Sequence, residues 1–249
     1  SRRTPLQRRC RTAGARTMRG QLGLPGPRWC ACVRARTRTR PCVCVCARAH
    51  APTGKLTGVF ASELTVPYYE FTDSGIEVDI ASIKGGKIPI DPESFFYAVK
   101  TNSDTRYLED PILKEKVENS ILIDQLEIDN YDIVFIAGGW GAAYDLGYSE
   151  TLGEKISQAY YNPNSVIGGV CHGVLGFLNA KDSLGNLIIK NKRITGVTNK
   201  QIKELGIFFT PQHPEEELIK AGAIFESKTA FRDVLANLTI VDDESKFVS

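Results

Sequence analysis

Cys171 and His172 are adjacent, with Gly168 and Gly169 shortly before them and Gly173 directly after. A thiol beside an imidazole can support nucleophilic catalysis: the thiolate attacks, and the ring moves the proton. The surrounding pattern suits that task. Val166-Ile167-Gly168-Gly169-Val170 is an apolar run, and Val174 to Phe177 reads as the start of a helix. A strand turning sharply into a helix lifts the residue at the turn above the end of the sheet, and small neighbours clear space around it. The helix then aims its first N–H groups and the positive end of its dipole at the sulfur, which favours the thiolate. The competing reading is a small apolar core residue, the common fate of a free cysteine, but a core cysteine has no need of such a turn.

The rest of the chain must position that turn. Tyr131 to Ala137 has the continuous apolar character of a strand buried on both faces. Ile76 to Ile80 alternates as a half-buried strand does. Asp110 to Asn119 reads as a helix, with Asp110 as N-cap and Pro111 at the first helical position. Glu150 to Tyr161 and Glu215 to Ala221 read as helices too, the latter with acids early and Lys220 late. A short helix started by Pro67 would carry Tyr68, Tyr69 and Phe71, and Leu187 to Ile189, Arg193 to Val197 and Leu238 to Val241 read as short strands. Alternating strands and helices imply one α/β domain with a mostly parallel sheet. Sites in such sheets form at the carboxyl ends of strands. Gly138-Gly139-Trp140-Gly141 follows the Tyr131 to Ala137 strand at that end. Its glycines can turn backbone N–H groups toward an oxyanion or simply make a tight turn, and Trp140 either walls a pocket or fills core. No Lys-Ser/Thr follows, so this is not a phosphate loop.

Composition separates the chain into two parts. Its net charge is +2, yet residues 1–53 hold 13 Arg and no acid, while the remainder has 18 basic against 29 acidic residues, a net −11. An acidic body makes nucleic acid an unfavourable partner, and no apolar run is long enough to span a membrane. Six of the seven cysteines lie in the basic segment. With Cys171 alone, the body has no internal disulfide and suits a reducing, cytoplasmic setting. The basic segment is low in complexity: Arg alternates with Ala and Thr over Arg34 to Arg40, and Cys with Val over Cys42 to Cys46. It shares the Arg-rich, acid-poor character of organellar transit peptides, and its cysteines lack zinc-site spacing. Its alternation is what a translated dinucleotide repeat yields. Residues 1–53 are therefore read as a disordered, non-native leader, and residues 54–249 as the folded domain.

Cys171-His172-Gly173 after an apolar strand, with Ala137-Gly138-Gly139-Trp140-Gly141 before it, resembles the ThiJ/PfpI superfamily. That is the class I glutamine-amidotransferase-like fold, a flavodoxin-like three-layer sandwich. Ser62-Glu63-Leu64, Pro67-Tyr68-Tyr69, Lys84-Gly85-Gly86 and Ile194-Thr195-Gly196-Val197-Thr198-Asn199 are similar to its glyoxalase III or heat-shock-chaperone-like branch. The resemblance covers nearly all of residues 54–249. It implies catalytic Cys171, His172 and Glu63, with the Glu63 carboxyl beside the sulfur; on residue type alone, Glu63 is a surface acid. It also implies a cofactor-independent, metal-free conversion of methylglyoxal to lactate, with Gly138, Gly139 and Trp140 at the small aldehyde, and the homodimers common in the family. The same chemistry on glycated thiols or amines would be deglycation. Two other readings stay open. One is a Cys peptidase or amidase of the same fold. The other is a holding chaperone or redox sensor, in which oxidised Cys171 is stabilised by Glu63.

The chain departs from the family pattern in three places. The long first strand expected before Gly58 is absent, with the leader in its place. The family continues past the equivalent of Ser249. The acid that orients the histidine, expected soon after Thr195-Gly196, is replaced by Asn199-Lys200-Gln201-Ile202. Glu204 and Glu215 to Glu217 are the acids available, and the choice among them stays open. His213, in Thr210-Pro211-Gln212-His213-Pro214, reads as a structured-loop residue.

Overall fold

The computed structural model describes the backbone of residues 42–46, together with residues 56–207, 209–232 and 237–249. The chain divides into two units, Ser1–Thr37 and Arg38–Ser249, of which the first lies outside the described residues. The second is built on a six-stranded sheet. In chain order its strands are β1 (Cys42–Cys46), β2 (Val78–Ser82), β3 (Ile121–Leu122), β4 (Ile133–Ile136), β5 (Val166–Gly169) and, after a two-stranded ribbon of β6 (Arg193–Ile194) and β7 (Ile224–Phe225), β8 (Phe247–Val248). Their spatial order is β3-β2-β1-β4-β5-β8, and every strand pairing is parallel.

β1 corrects the reading of the leader. The expected first strand is present, formed by Cys42–Cys46, and it is paired along both edges. Cys42 to Cys46 face Val78 to Ser82, and Cys42 to Val45 face Ile133 to Ile136. The low complexity of the segment concealed this. Alternating β-branched valine and small, apolar cysteine has the character of a strand, whatever repeat produced it. The sheet accordingly takes in Cys42–Cys46, ahead of residue 54. The rest of the leader, His50 included, lies outside the described residues.

The helices cover both faces. Along β4, Val134 and Ile136 join one core with Leu152, Ile156 and Ala159 of α4 (Glu150–Tyr161) and with Val174 and Phe177. Ile133 and Phe135 point the other way, into a core with Leu64, Tyr68 and Tyr69 of α1 (Ala61–Asp73) and Leu113 and Val117 of α3 (Pro111–Glu118). The period of two along β4 thus divides its side chains between two helical layers, as a three-layer α/β sandwich requires. α2 (Asn102–Tyr107) carries a capping box between Thr101 and Asp104. Asp110 caps α3 by accepting from the amides of Ile112 and Leu113, with Pro111 first in the helix.

Three elements differ from the sequence reading. Helix α1 begins at Ala61, so Pro67 lies inside it. Having no N–H, Pro67 offers nothing to the carbonyl of Glu63 one turn earlier. Leu187 to Ile189 makes only an isolated bridge, Lys181 to Leu187. Leu238 to Val241 folds back on the final residues, with Ile240 and Ser249 exchanging backbone hydrogen bonds of 2.7 and 2.9 Å. The Asp242 side chain holds that turn through the amides of Lys246 and Phe247. It is therefore Phe247, 1% exposed and edge-on to Phe177 at 5.1 Å, that reaches β5.

Candidate active site

Strand β5 ends at Gly169, and Val170 leads into Cys171, which sits at φ 56°. A non-glycine residue in the left-handed region carries strain that its surroundings must hold. Here the turn is closed by the Gly173 amide donating to the Val170 carbonyl at 2.7 Å, and Cys171 begins a run of 3₁₀ turns ending at Asn179. Close packing fixes the neighbouring residue types. A Cβ on Gly173 would lie 2.4 Å from the Ile136 carbonyl oxygen, a collision with backbone that only glycine avoids. This is the elbow read from the sequence.

Glu63 comes from the first turn of α1. Its carboxyl reaches over the loop after β4: a Cβ on Gly138 would stand 2.4 Å from Glu63 Oε2 and 3.0 Å from Cys171 Cβ. Gly139 holds φ 99°, and a side chain there would strike the Phe60 amide nitrogen at 2.3 Å. The fold thus brings Glu63, Gly138, Gly139, Cys171 and His172 together from three separate segments. Trp140 follows the glycines but packs inward with Ala143 and Leu175, edge-on to Tyr144 at 5.6 Å, and is 9% exposed.

Burial sets the electrostatics. It raises the Glu63 carboxyl from 4.5 to about 8, against the opposing pull of the Cys171 thiol and the amides of Gly138 and Gly139. Glu63 Oε2 is buried with no hydrogen bond of normal geometry, so the group is held as a neutral acid at physiological pH. Cys171 is pushed well above its ordinary thiol value, first by burial and then by the Glu63 charge; the amides of His172 and Gly139 oppose this without prevailing. The expectation that the turn alone would favour the thiolate is therefore corrected. The N–H groups are there, but desolvation and a neighbouring carboxyl outweigh them. Together the pair resists carrying two negative charges.

His172 is 1% exposed, and its Nδ1 lies 3.4 Å from Cys171 Sγ. Burial, then the charge of His213, lowers its pKa to about 3, which keeps the ring neutral. Its Nε2 is buried without a partner. None of the acids considered from sequence is bonded to it. Glu204 lies 3.8 Å from Lys200, Glu217 lies 3.7 Å from Lys220, and Glu215 and Glu216 accept from the amide and side chain of Asn199. Gln201 is used as a helix cap, accepting from the Thr198 amide at the start of α5 (Asn199–Glu204). The sequence reading left His213 in a structured loop. It is the residue before α6 (Pro214–Lys220), with Nδ1 3.0 Å from Asn199 Oδ1.

The family profile described as DJ-1/PfpI family matches residues 56–235. The chain belongs to the DJ-1/PfpI family. Glyoxalase 3 of Candida albicans is 32% identical over 158 residues, covering 62% of this chain and 66% of that one. The glutathione-independent glyoxalase hsp3101 of Schizosaccharomyces pombe is 29% identical over 161 residues, covering 63% and 65%. The chain thus spans just under two thirds of the length of these relatives. Among solved structures, the Rapid Encystment Protein 24 kDa of Francisella tularensis superposes with a TM-score of 0.75 at 33% identity, covering 84% of this chain and 90% of that one. Glyoxalase III of Candida albicans shares the fold, with a TM-score of 0.68 at 24% identity and coverage of 84% and 90%. Among the described residues no cluster of three or more His, Cys, Asp or Glu has metal-holding geometry, and no helix is long and apolar enough to cross a membrane.

Proposed function

We propose that this protein converts methylglyoxal to lactate without glutathione, using Cys171 as nucleophile. The observation that carries this reading is the meeting of a neutral buried acid, Glu63, with the Cys171 thiol and a neutral imidazole 3.4 Å from the sulfur. His172 Nδ1 takes the thiol proton as sulfur attacks the aldehyde carbon, forming the C–S bond of a hemithioacetal. The amides of Gly139 and His172, directed at the sulfur's surroundings, hold the oxygen that becomes negative. His172 passes the thiol proton to the hemithioacetal oxygen and, neutral again, takes the proton from the former aldehyde carbon while Glu63 gives its own proton to the neighbouring carbonyl oxygen, forming an enediol. His172 then protonates the neighbouring carbon as Glu63 recovers a proton from the first hydroxyl. A group titrating near the working pH is suited to both halves of that transfer. The product is a lactoyl thioester. Water hydrolyses it, releasing lactate and the free thiol. One carbon is oxidised and its neighbour reduced, so the sum is methylglyoxal plus water to lactate and no external redox partner is needed.

Trp140, packed with Ala143 and Leu175, fills core behind the Gly138-Gly139 turn. The setting we propose is a reducing one such as the cytoplasm, with two copies paired as the family resemblance suggests. Methylglyoxal consumption and lactate formation by the full chain, with Cys171→Ala alongside, test the chemistry. Turnover in the wild type and none in the variant is expected. Equal rates in both would remove Cys171 from the reaction, and no rate in either would remove methylglyoxal. A second reading rests on the same Glu63–Cys171 contact. A protonated carboxyl beside the sulfur would donate to a sulfinate, so mild peroxide should add two oxygens to Cys171 by mass in the wild type and over-oxidise Glu63→Ala. Identical oxidation of the two proteins would dismiss it.

A further inference from the structure

The acid absent from beside His172 has a structural replacement. We infer that His213 is the positioning residue for His172: its Nε2 accepts from the His172 Nε2–H through one bridging water, in the role a carboxylate usually takes. The inference rests on the proposed use of Cys171 as nucleophile, which makes the orientation of His172 matter.

Four observations lead to it. His172 Nε2 is buried and has no partner, on a residue 1% exposed. With Nδ1 facing the Cys171 thiol at 3.4 Å, the neutral ring carries its proton on Nε2 when the thiol donates, so the orphan atom is a donor in need of an acceptor. The loop holding His213 is packed against the elbow. Gly196 lies between them, where a Cβ would stand 3.4 Å from the Cys171 carbonyl oxygen and 3.7 Å from Pro214 Cβ. Finally, the tautomer of His213 is fixed by its other contacts. Asn199 Nδ2 donates to Glu216 Oε1 at 2.9 Å, and the Asn199 amide N–H donates to Glu215 Oε2 at 2.7 Å. That fixes Asn199 Oδ1 as the atom facing His213 Nδ1 at 3.0 Å. Oδ1 can only accept, so Nδ1 of His213 carries a proton, which in the neutral ring leaves a lone pair on Nε2. A donor without an acceptor and an acceptor thus belong to histidines on packed neighbouring segments. Asn199 occupies the stretch where the sequence leads one to look for the acid. Here it bonds to a second histidine and is braced by two glutamates.

Two measurements on the full chain test this. The first is steady-state turnover of methylglyoxal by wild type, His213→Ala and His213→Glu. The alanine variant should lose roughly 10- to 100-fold in kcat with KM within about twofold, as expected for an orienting group that does not touch substrate. The glutamate variant, able to accept from Nε2–H, should recover most of the loss. An unchanged kcat in His213→Ala, or a loss that glutamate leaves uncorrected, overturns the inference. The second readout needs no turnover: the imidazole 15N signals of His172. The wild type should show a single Nε2–H tautomer and His213→Ala a mixture. The same tautomer in both would overturn the proposal even in an active enzyme. A shift in tautomer without methylglyoxal turnover by the wild type would uphold the His172–His213 pairing and reject the substrate.

Discussion

Replacing Glu63 by glutamine removes one titrating group and little volume, and the structure sets the size of the effect. The carboxyl titrates at 4.5 when exposed and at about 8 in the fold. Between those values the unfolded chain releases the proton and the native chain keeps it. The stability associated with this site is therefore complete below pH 4.5 and is lost as pH rises through 8, by about 1.4 kcal/mol for each pH unit. Glu63→Gln has no such proton to keep. Relative to wild type it should gain about 1 kcal/mol at pH 5 and about 4 kcal/mol at pH 8, less a constant for any hydrogen bond the amide makes poorly. Cys171 leaves this window undisturbed, because its raised pKa moves its own contribution to higher pH. Urea unfolding of both proteins at pH 5, 6.5 and 8 measures the difference directly. The variant should be more stable and catalytically dead, the trade-off expected of a buried functional acid. A stability difference that stays flat from pH 5 to 8 would show that the native carboxyl is already ionised, and the proton-transfer role given to it would fall with the burial argument.

Other perturbations follow from the packing. Gly173→Ala sets a Cβ 2.4 Å from a backbone oxygen and should cost about 2–3 kcal/mol, with loss of turnover. Gly185→Ala, at φ 83° in open space, should cost only about 1 kcal/mol. Thermal melts of the pair check this, and equal shifts would mean the elbow is looser than described. A chain starting at Arg38 should unfold cooperatively, whereas one starting after Cys46 lacks the strand between β2 and β4 and should lose its cooperative transition or its solubility; equal denaturation midpoints for the two would refute the assigned place of β1.

The elbow was legible because its signal is local. A β-branched run, a glycine pair and a Cys-His-Gly triplet lie within a dozen residues, and the collisions now seen at Gly173 are the reason such residues stand there. β4 and the capped helix α3 were legible for the same reason, since Asp110-Pro111 announces its helix within two residues. What escaped was non-local. The role of Cys42–Cys46 depends on strands more than thirty and ninety residues later, and repetitive composition argued against any fold. The choice between Leu238 to Val241 and Phe247–Val248 as the edge strand was decided by which side reaches Phe177. The ionisation state of Cys171 depended first on its own burial and then on the Glu63 charge beside it, which no run of neighbouring letters encodes. His213 gave no sign beyond its type, because its meaning comes from Asn199, fourteen residues earlier.

Hydrogen bonding along both edges of β1 has a consequence for how this fold tolerates change. The slot between β2 and β4 is bounded by two rows of peptide donors and acceptors, and those groups are common to every residue but proline. Such a slot reads extension and side-chain bulk, not identity. Five residues of alternating valine and cysteine satisfy it, though nothing about them suggests ancestry. The turn after β5 is the opposite case, since a side chain at Gly173 would collide with the Ile136 carbonyl oxygen. The two kinds of constraint sit side by side in one sheet. Strand β1 can therefore change its residues so long as it stays extended, while the glycine of the turn cannot change.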